Sequence, residues 1–226
     1  MKINIISKDY LIFEDDKYIS FPNLCRGKNG ELLCTYRKAS EFSFKAAKNN
    51  LATHHDPDSS IFLATLGIDD RNNCIIRNNI KIYQTSYGVN DPSITLLKND
   101  DYLVRFVALK ITNTKEYIHD KNNKIFSHRV EHGLVTNVVG QVVMKSNDLK
   151  NWNEISLVKD MNYGPSCGRD PIIELEDGSL LMPGYVGAPE RSDISIIHRS
   201  FDDGENWDFT SLVAIDKDGE YSQMHG

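Results

Sequence analysis

The 226-residue sequence has no C-x-x-C pair, no apolar run of about 18 residues and no excess of positive charge. Each absence excludes a class of protein. The four cysteines (Cys25, Cys34, Cys74, Cys167) lack the spacing of a zinc ribbon or of a disulfide framework. Cys25 and Cys34 lie in apolar segments and read as small buried hydrophobes. Without a long apolar run no transmembrane helix is expected, and mean hydropathy is −0.43. Lys and Arg number 26 against 32 Asp and Glu, a formal charge of −6. That balance argues against a nucleic-acid or membrane-surface binder, which would show a basic face. There is no phosphate-binding glycine loop and no Ser/His/Asp motif, so no cofactor is implied. Met1 to Asp9 has too short an apolar stretch for a secretory signal, and Glu14, Asp15 and Asp16 follow closely. A cytoplasmic location is therefore expected. No amphipathic helix of several turns is evident. Glu41 to Asn50 comes nearest and reads as an insertion.

What the sequence does have is an internal repeat. Phe21-Pro22 to Arg37, Asp91-Pro92 to Phe106 and Asp170-Pro171 to Tyr185 share one pattern. Each runs x-Pro, a short apolar stretch, a polar turn, then a second apolar stretch. The turns hold Asn29-Gly30, Asn99-Asp100-Asp101 and Asp177-Gly178. Asn-Gly and Asp-Gly supply the positive-φ residues of a tight two-residue hairpin turn. The flanking leucines and β-branched residues suit buried strands, and a proline at the start blocks the ladder there. The prolines at 22, 92 and 171 set steps of 70 and 79 residues.

A second repeated element lies between the hairpins. Ser200-Phe201-Asp202-Asp203-Gly204-Glu205-Asn206-Trp207 has the form S-x-D-x-G-x-x-W. Ser146 to Trp152 is a shortened copy without the glycine, and Thr65 to Asp70 a decayed one. Each follows an apolar strand and precedes another. Every repeat thus offers about four strands, which predicts an all-β chain built as a β-propeller. The blade-like repeats are set at about 18–88, 89–166 and 167–226.

The S-x-D-x-G-x-x-W element resembles the Asp box of sialidases and related BNR-repeat proteins. Ser200, Asp202, Gly204 and Trp207 carry the match. The serine and aspartate can cap turn N–H groups, the glycine takes a conformation other residues resist, and the tryptophan packs the turn onto the blade. In that family the box is a fold element, so these residues are not catalytic candidates. The triple hairpin resembles the same family, from about Tyr18 to Trp207.

The resemblance implies a retaining glycosidase that binds a sugar carboxylate with three arginines. An aspartate serves as acid/base, and a tyrosine paired with a glutamate as nucleophile. Ser20-Phe21-Pro22 stands where the family has Arg-Ile-Pro, so the first arginine is missing. Arg26 or Arg37 of the same hairpin can replace it. Arg37 ends the second strand, where strands meet the central axis; a surface or interblade ion pair is the alternative for either arginine. The acid/base position falls in Thr53 to Ser60, with Asp56 preferred and Asp58 second; a solvated polar loop is the alternative there. His54 and His55 do not make a metal site, because neighbours on a strand face opposite ways. Asp91, Arg169 and Asp170 open the later hairpins at one end of the channel. They read as substrate-binding residues or as turn caps. Gly168 beside Arg169 leaves room for a ligand. Glu220 and Tyr221 are not assigned the nucleophile roles.

A sialidase-like glycoside hydrolase, or a relative acting on terminal sugars of glycans, is the expectation. The rival is a non-catalytic carbohydrate-binding or scaffold propeller, or an inactive fragment. Three repeats fall short of the four to eight blades that close a propeller. The chain is therefore expected to be incomplete, or to cover its open blade faces by self-association.

Overall fold

The computed structural model describes residues 17–40, 56–71, 73–113, 115, 128–131, 133–159, 164–188 and 191–215. The Glu41–Asn50 insertion, the His54–His55 pair and Glu220–Tyr221 lie outside them. Thirteen strands and no helix occur among the described residues. The first sheet is β1 (Tyr18–Arg26), β2 (Leu32–Ala39), β3 (Ser60–Ile68) and β4 (Cys74–Gln84), antiparallel in that order. The second joins β5 (Val89–Leu96), β6 (Tyr102–Asn113) and β8 (Leu134–Ser146). The far edge of β8 is shared. β7 (His128–Glu131) pairs with its first half and β9 (Asn153–Val158) with its second. The third is β10 (Ile173–Glu174), β11 (Leu180–Ala188), β12 (Arg191–Ser200) and β13 (Asp208–Ile215). Three antiparallel sheets, each a hairpin joined to a hairpin, are the architecture of a partial β-propeller.

The repeated hairpins close with one loop geometry. Gly27, Leu97 and Leu175 donate N–H to the carbonyls of Glu31, Asp101 and Ser179, each at 2.8 Å. The loop thus holds three residues, not the two expected from Asn-Gly. Its last residue takes positive φ: Gly30 at 84°, Asp100 at 69° and Gly178 at 82°. This is the three-residue hairpin in which a left-handed residue follows a type I turn.

The prolines do not open their strands. β1 begins four residues before Pro22 and β5 three before Pro92. Register slips between Ser20 and Asn23, and again between Asn90 and Ser93. Each proline therefore sits in a bulge, where its missing N–H removes no ladder bond. The residue before it turns left-handed: Phe21 at φ 55° and Asp91 at φ 49°.

The sheets pack face to face. Leu33, Ile61 and Leu63 of the first meet Ile94, Val104, Phe106 and Val142 of the second. Leu103 and Val143 of the second meet Leu180 and Met182 of the third. The Ser200–Trp207 turn clasps that second seam. Ser200 Oγ accepts from Gly204 N at 2.9 Å, and Asp202 takes both the main-chain and side-chain N–H of Asn206. Trp207 Nε1 donates to Gly204 O at 2.8 Å and lies 3.2 Å from Ser156 Oγ on β9. The same aspartate-to-asparagine bond recurs as Asp148–Asn151 and Asp69–Asn73. In the shortened copy Leu149 takes φ 61°, in the left-handed region that Gly204 takes in the longer one.

Candidate functional site

At the bulge end of the inner strands, side chains from all three sheets converge. Aligning the prolines puts Ser20, Asn90 and Arg169 in equivalent places, followed by Phe21, Asp91 and Asp170. The bulges re-aim the side chains beside each proline. A left-handed φ at a residue as bulky as Phe21 costs on the order of 1–3 kcal/mol, the kind of strain that collects at functional positions.

Asp91 stands at the centre. It is 5% exposed and accepts from Arg169 Nε at 3.1 Å. Burial pushes its carboxyl up, opposed by the positive charges of Arg169, Arg105 and Arg37 in that order. Arg37 is fully buried and donates Nε–H to Val89 O at 3.1 Å. Burial lowers its pKa, and the charges of Asp56 and Asp91 work against that. Arg169 is half exposed, with its guanidinium 5.0 Å above the Phe21 ring; that of Arg37 is 6.0 Å from the same ring.

The two acid/base candidates part company. Asp56 is fully buried. Its Oδ2 accepts from Ser40 N at 3.0 Å and Ser40 Oγ at 2.6 Å, and its Oδ1 from Asp58 N at 2.9 Å. Ser59 pins the same turn to Val89, accepting from its N at 2.8 Å and donating to its carbonyl at 2.9 Å. Gly88 permits that approach: at φ 95°, a Cβ there would lie 2.7 Å from Asp56 O. Asp58 is exposed.

Arg26 is not brought to this end. It pairs with Leu32, five residues along β2 from Arg37, or about 16 Å at strand rise. There it lines a hollow of about 440 Å³ with Glu31, Leu66 and Arg77. Arg37, Asp56, Asp91, Arg169 and Asp170 do come together. Asp170 is exposed, and with Arg169 and Tyr185 it borders a second hollow of about 200 Å³.

No protein-family model and no curated protein sequence matches this chain. Solved structures do. A protein of unknown function from Dyadobacter fermentans superposes with a TM-score of 0.70 at 21% identity, over 91% of this chain and 57% of its own. A Hadza microbial sialidase gives 0.57 at 16%, over 87% and 38%. The NanB sialidase of Streptococcus pneumoniae gives 0.57 at 10%, over 94% and 48%. The chain thus shares its fold with sialidases and spans about two-fifths to three-fifths of these relatives. At such identities the likeness is one of fold.

Arg105 went unweighed at the level of sequence, yet it knits the site. It is fully buried in β6. Its Nε donates to Asp170 O at 2.7 Å and to Ser93 Oγ at 3.1 Å; Nη2 also reaches Asp170 O, and Nη1 reaches Gln141 Oε1. Burial brings its pKa down to about 10. Gln141 donates to Ser166 Oγ at 2.9 Å, which lies 3.2 Å from His198 Nε2. Ser166 and His198 are almost fully buried, so this pair is a strut between the second and third sheets and out of a substrate's reach. The room at Gly168 also has another owner than the one expected. A Cβ there would lie 2.5 Å from Arg105 Nη1 and 2.8 Å from Pro183 O, so the glycine admits the arginine rather than a ligand. The available signal was a lone arginine inside the apolar run Tyr102 to Leu109, since a buried charge must find partners.

Proposed function

We propose that this chain carries the sugar-binding end of a glycoside-hydrolase-type propeller acting on terminal sugars of glycans. One observation carries the reading: Arg37, Asp91 and Arg169, from three successive blades, meet beside the Phe21 ring at one end of the strands. Hydrogen-bonding side chains next to an aromatic face are what a sugar needs, with its hydroxyl rim and its apolar C–H faces. The sialidase names among similar folds agree with the class. Asp58 is the exposed carboxylate for proton transfer, while Asp56 holds its loop in place. Release of a fluorogenic aglycone from a glycoside panel tests the reading. Turnover that falls at least about 100-fold in Asp58→Asn supports it; a folded chain that turns over no glycoside removes the hydrolase part.

A second reading has its own support. The preferred acid/base, Asp56, has both carboxylate oxygens engaged and no exposed surface. A carbohydrate-binding propeller without catalysis fits that arrangement. Calorimetric binding of a glycan without turnover, unchanged in Asp58→Ala, would favour it.

A further inference from the structure

Resting on the sugar-binding reading, we propose that this site takes a neutral sugar and discriminates against one carrying a carboxylate. Three arginines converge here, but each already has an acceptor. Arg37 donates to Val89 O. Arg105 is consumed by Asp170 O, Ser93 and Gln141. Both are fully buried, so neither presents a guanidinium face to a ligand. Arg169 is the accessible one, and its charge is answered at 3.1 Å by Asp91. In effect Asp91 occupies, from within the chain, the place that a bound carboxylate would take among the three cations.

The balance of charge points the same way. Arg37, Arg105 and Arg169 face Asp56, Asp91 and Asp170, three positive groups against three negative, with no cation left over for an anion. The exposed member of the set besides Arg169 is a carboxylate, Asp170. A site whose accessible charges are one carboxylate and one guanidinium already answered by Asp91 matches hydroxyl groups, which donate. It opposes a carboxylate group, which only accepts and is repelled by Asp170.

The test uses the full chain and two kinds of probe: methyl glycosides of neutral hexoses and the methyl glycoside of sialic acid. Binding is followed by ligand-observed NMR and calorimetry at low and physiological salt. The expected result is binding of a neutral glycoside at least about tenfold tighter than the sialoside. Asp170→Asn, whose main-chain carbonyl still serves Arg105, should strengthen sialoside binding about two- to fivefold, more at low salt. Asp91→Asn should strengthen it further; where its circular dichroism shows loss of fold, Asp170→Asn carries the comparison. A sialoside that binds the unaltered chain as tightly as the neutral glycosides overturns the inference and leaves the sugar-binding reading standing. No binding of any sugar overturns both. Unchanged sialoside affinity in Asp170→Asn and a folded Asp91→Asn overturns the charge argument.

Discussion

Replacing Arg105 by Met is the sharpest probe of how the site is held. The thioether side chain fills much of the same volume but makes none of the bonds. Asp170 O then loses both of its guanidinium donors, and Gln141 Oε1 loses its own. A buried acceptor left unsatisfied costs about 1–3 kcal/mol. Asp170 O keeps the Ser93 hydroxyl at 3.2 Å, so one buried acceptor, Gln141 Oε1, is orphaned; with the lost bonds to Asp170 O, and less the burial cost that the arginine itself no longer carries, the net loss is about 2 kcal/mol. For a chain of this size that lowers Tm by about 4–8 °C. Arg105→Lys should recover less than half of the loss, because an ammonium cannot reproduce the planar fork that reaches Asp170, Ser93 and Gln141 together. Differential scanning calorimetry reads all three proteins. The close approach at Gly168 supplies a second handle. Gly168→Ala drives a Cβ into Arg105 Nη1 and Pro183 O, and only the first of these contacts vanishes in Arg105→Met. The double mutant should therefore be more stable than the sum of the singles by about 1 kcal/mol. A Tm for Arg105→Met within about 2 °C of the parent, or strict additivity with Gly168→Ala, would refute the role assigned to this arginine.

Asp100 holds φ 69° where the equivalent loops use glycine. Asp100→Gly should stabilise the chain by about 0.5 kcal/mol, seen as a higher urea midpoint; a lower one counts against the loop equivalence. Main-chain and side-chain bonds from Asn151 and Lys150 hold the Asp148 carboxyl well below its ordinary 3.8. Its folded pKa lies below the unfolded value, so its contribution is present above pH 3.8 and lost as pH falls through the folded pKa. Asp148→Asn should flatten the decline of Tm between about pH 4 and pH 2, and an unchanged slope would contradict the assignment. Trp207→Phe keeps the ring but loses the Nε1 donor to Gly204 O. It should cost about 1 kcal/mol in urea unfolding, whereas no loss would show that the indole N–H does not clasp the turn.

Most of the architecture was legible because its signals are local. Leucine pairs follow Gly30 and Gly178 two residues on, and an aspartate reaches an asparagine three or four residues on, so each hairpin announces itself within a few residues. Asp100 marks a turn because aspartate tolerates the left-handed region, although the loop is one residue longer than the two-residue turn the sequence suggests. The prolines misled about strand ends. Nothing local says that Phe21 will turn left-handed so that the strand can run on past Pro22; the ladder with β2 decides that. The site was legible only by position. Its inner logic rests on pairings such as Arg105 with Gln141, 36 residues away, and with Asp170, 65 residues away. Such contacts leave no spacing to read.

The bulge frame explains why chemistry gathers at this end. Two blades share the same slip before Asn23 and Ser93, and the third interrupts its pairing between Cys167 and Ile173. With the ladder broken there, the side chains before each proline are released from the demands of strand packing and can differ from blade to blade. They do differ: Ser20-Phe21, Asn90-Asp91 and Arg169-Asp170 occupy one backbone position three times. The first pair supplies an aromatic face and no charge, the second a buried anion, the third a cation and an exposed anion. Arg169 and Asp91 come from adjacent blades, so their ion pair exists only once the second and third sheets have docked. Arg105 ties that docking to the Asp170 main chain. On the proposed sugar-binding reading, selectivity at this end would be a property of the seam between blades, and a substitution that loosens the seam at Gln141 or Ser166 should alter glycoside affinity in calorimetry although both residues lie away from the Phe21 ring.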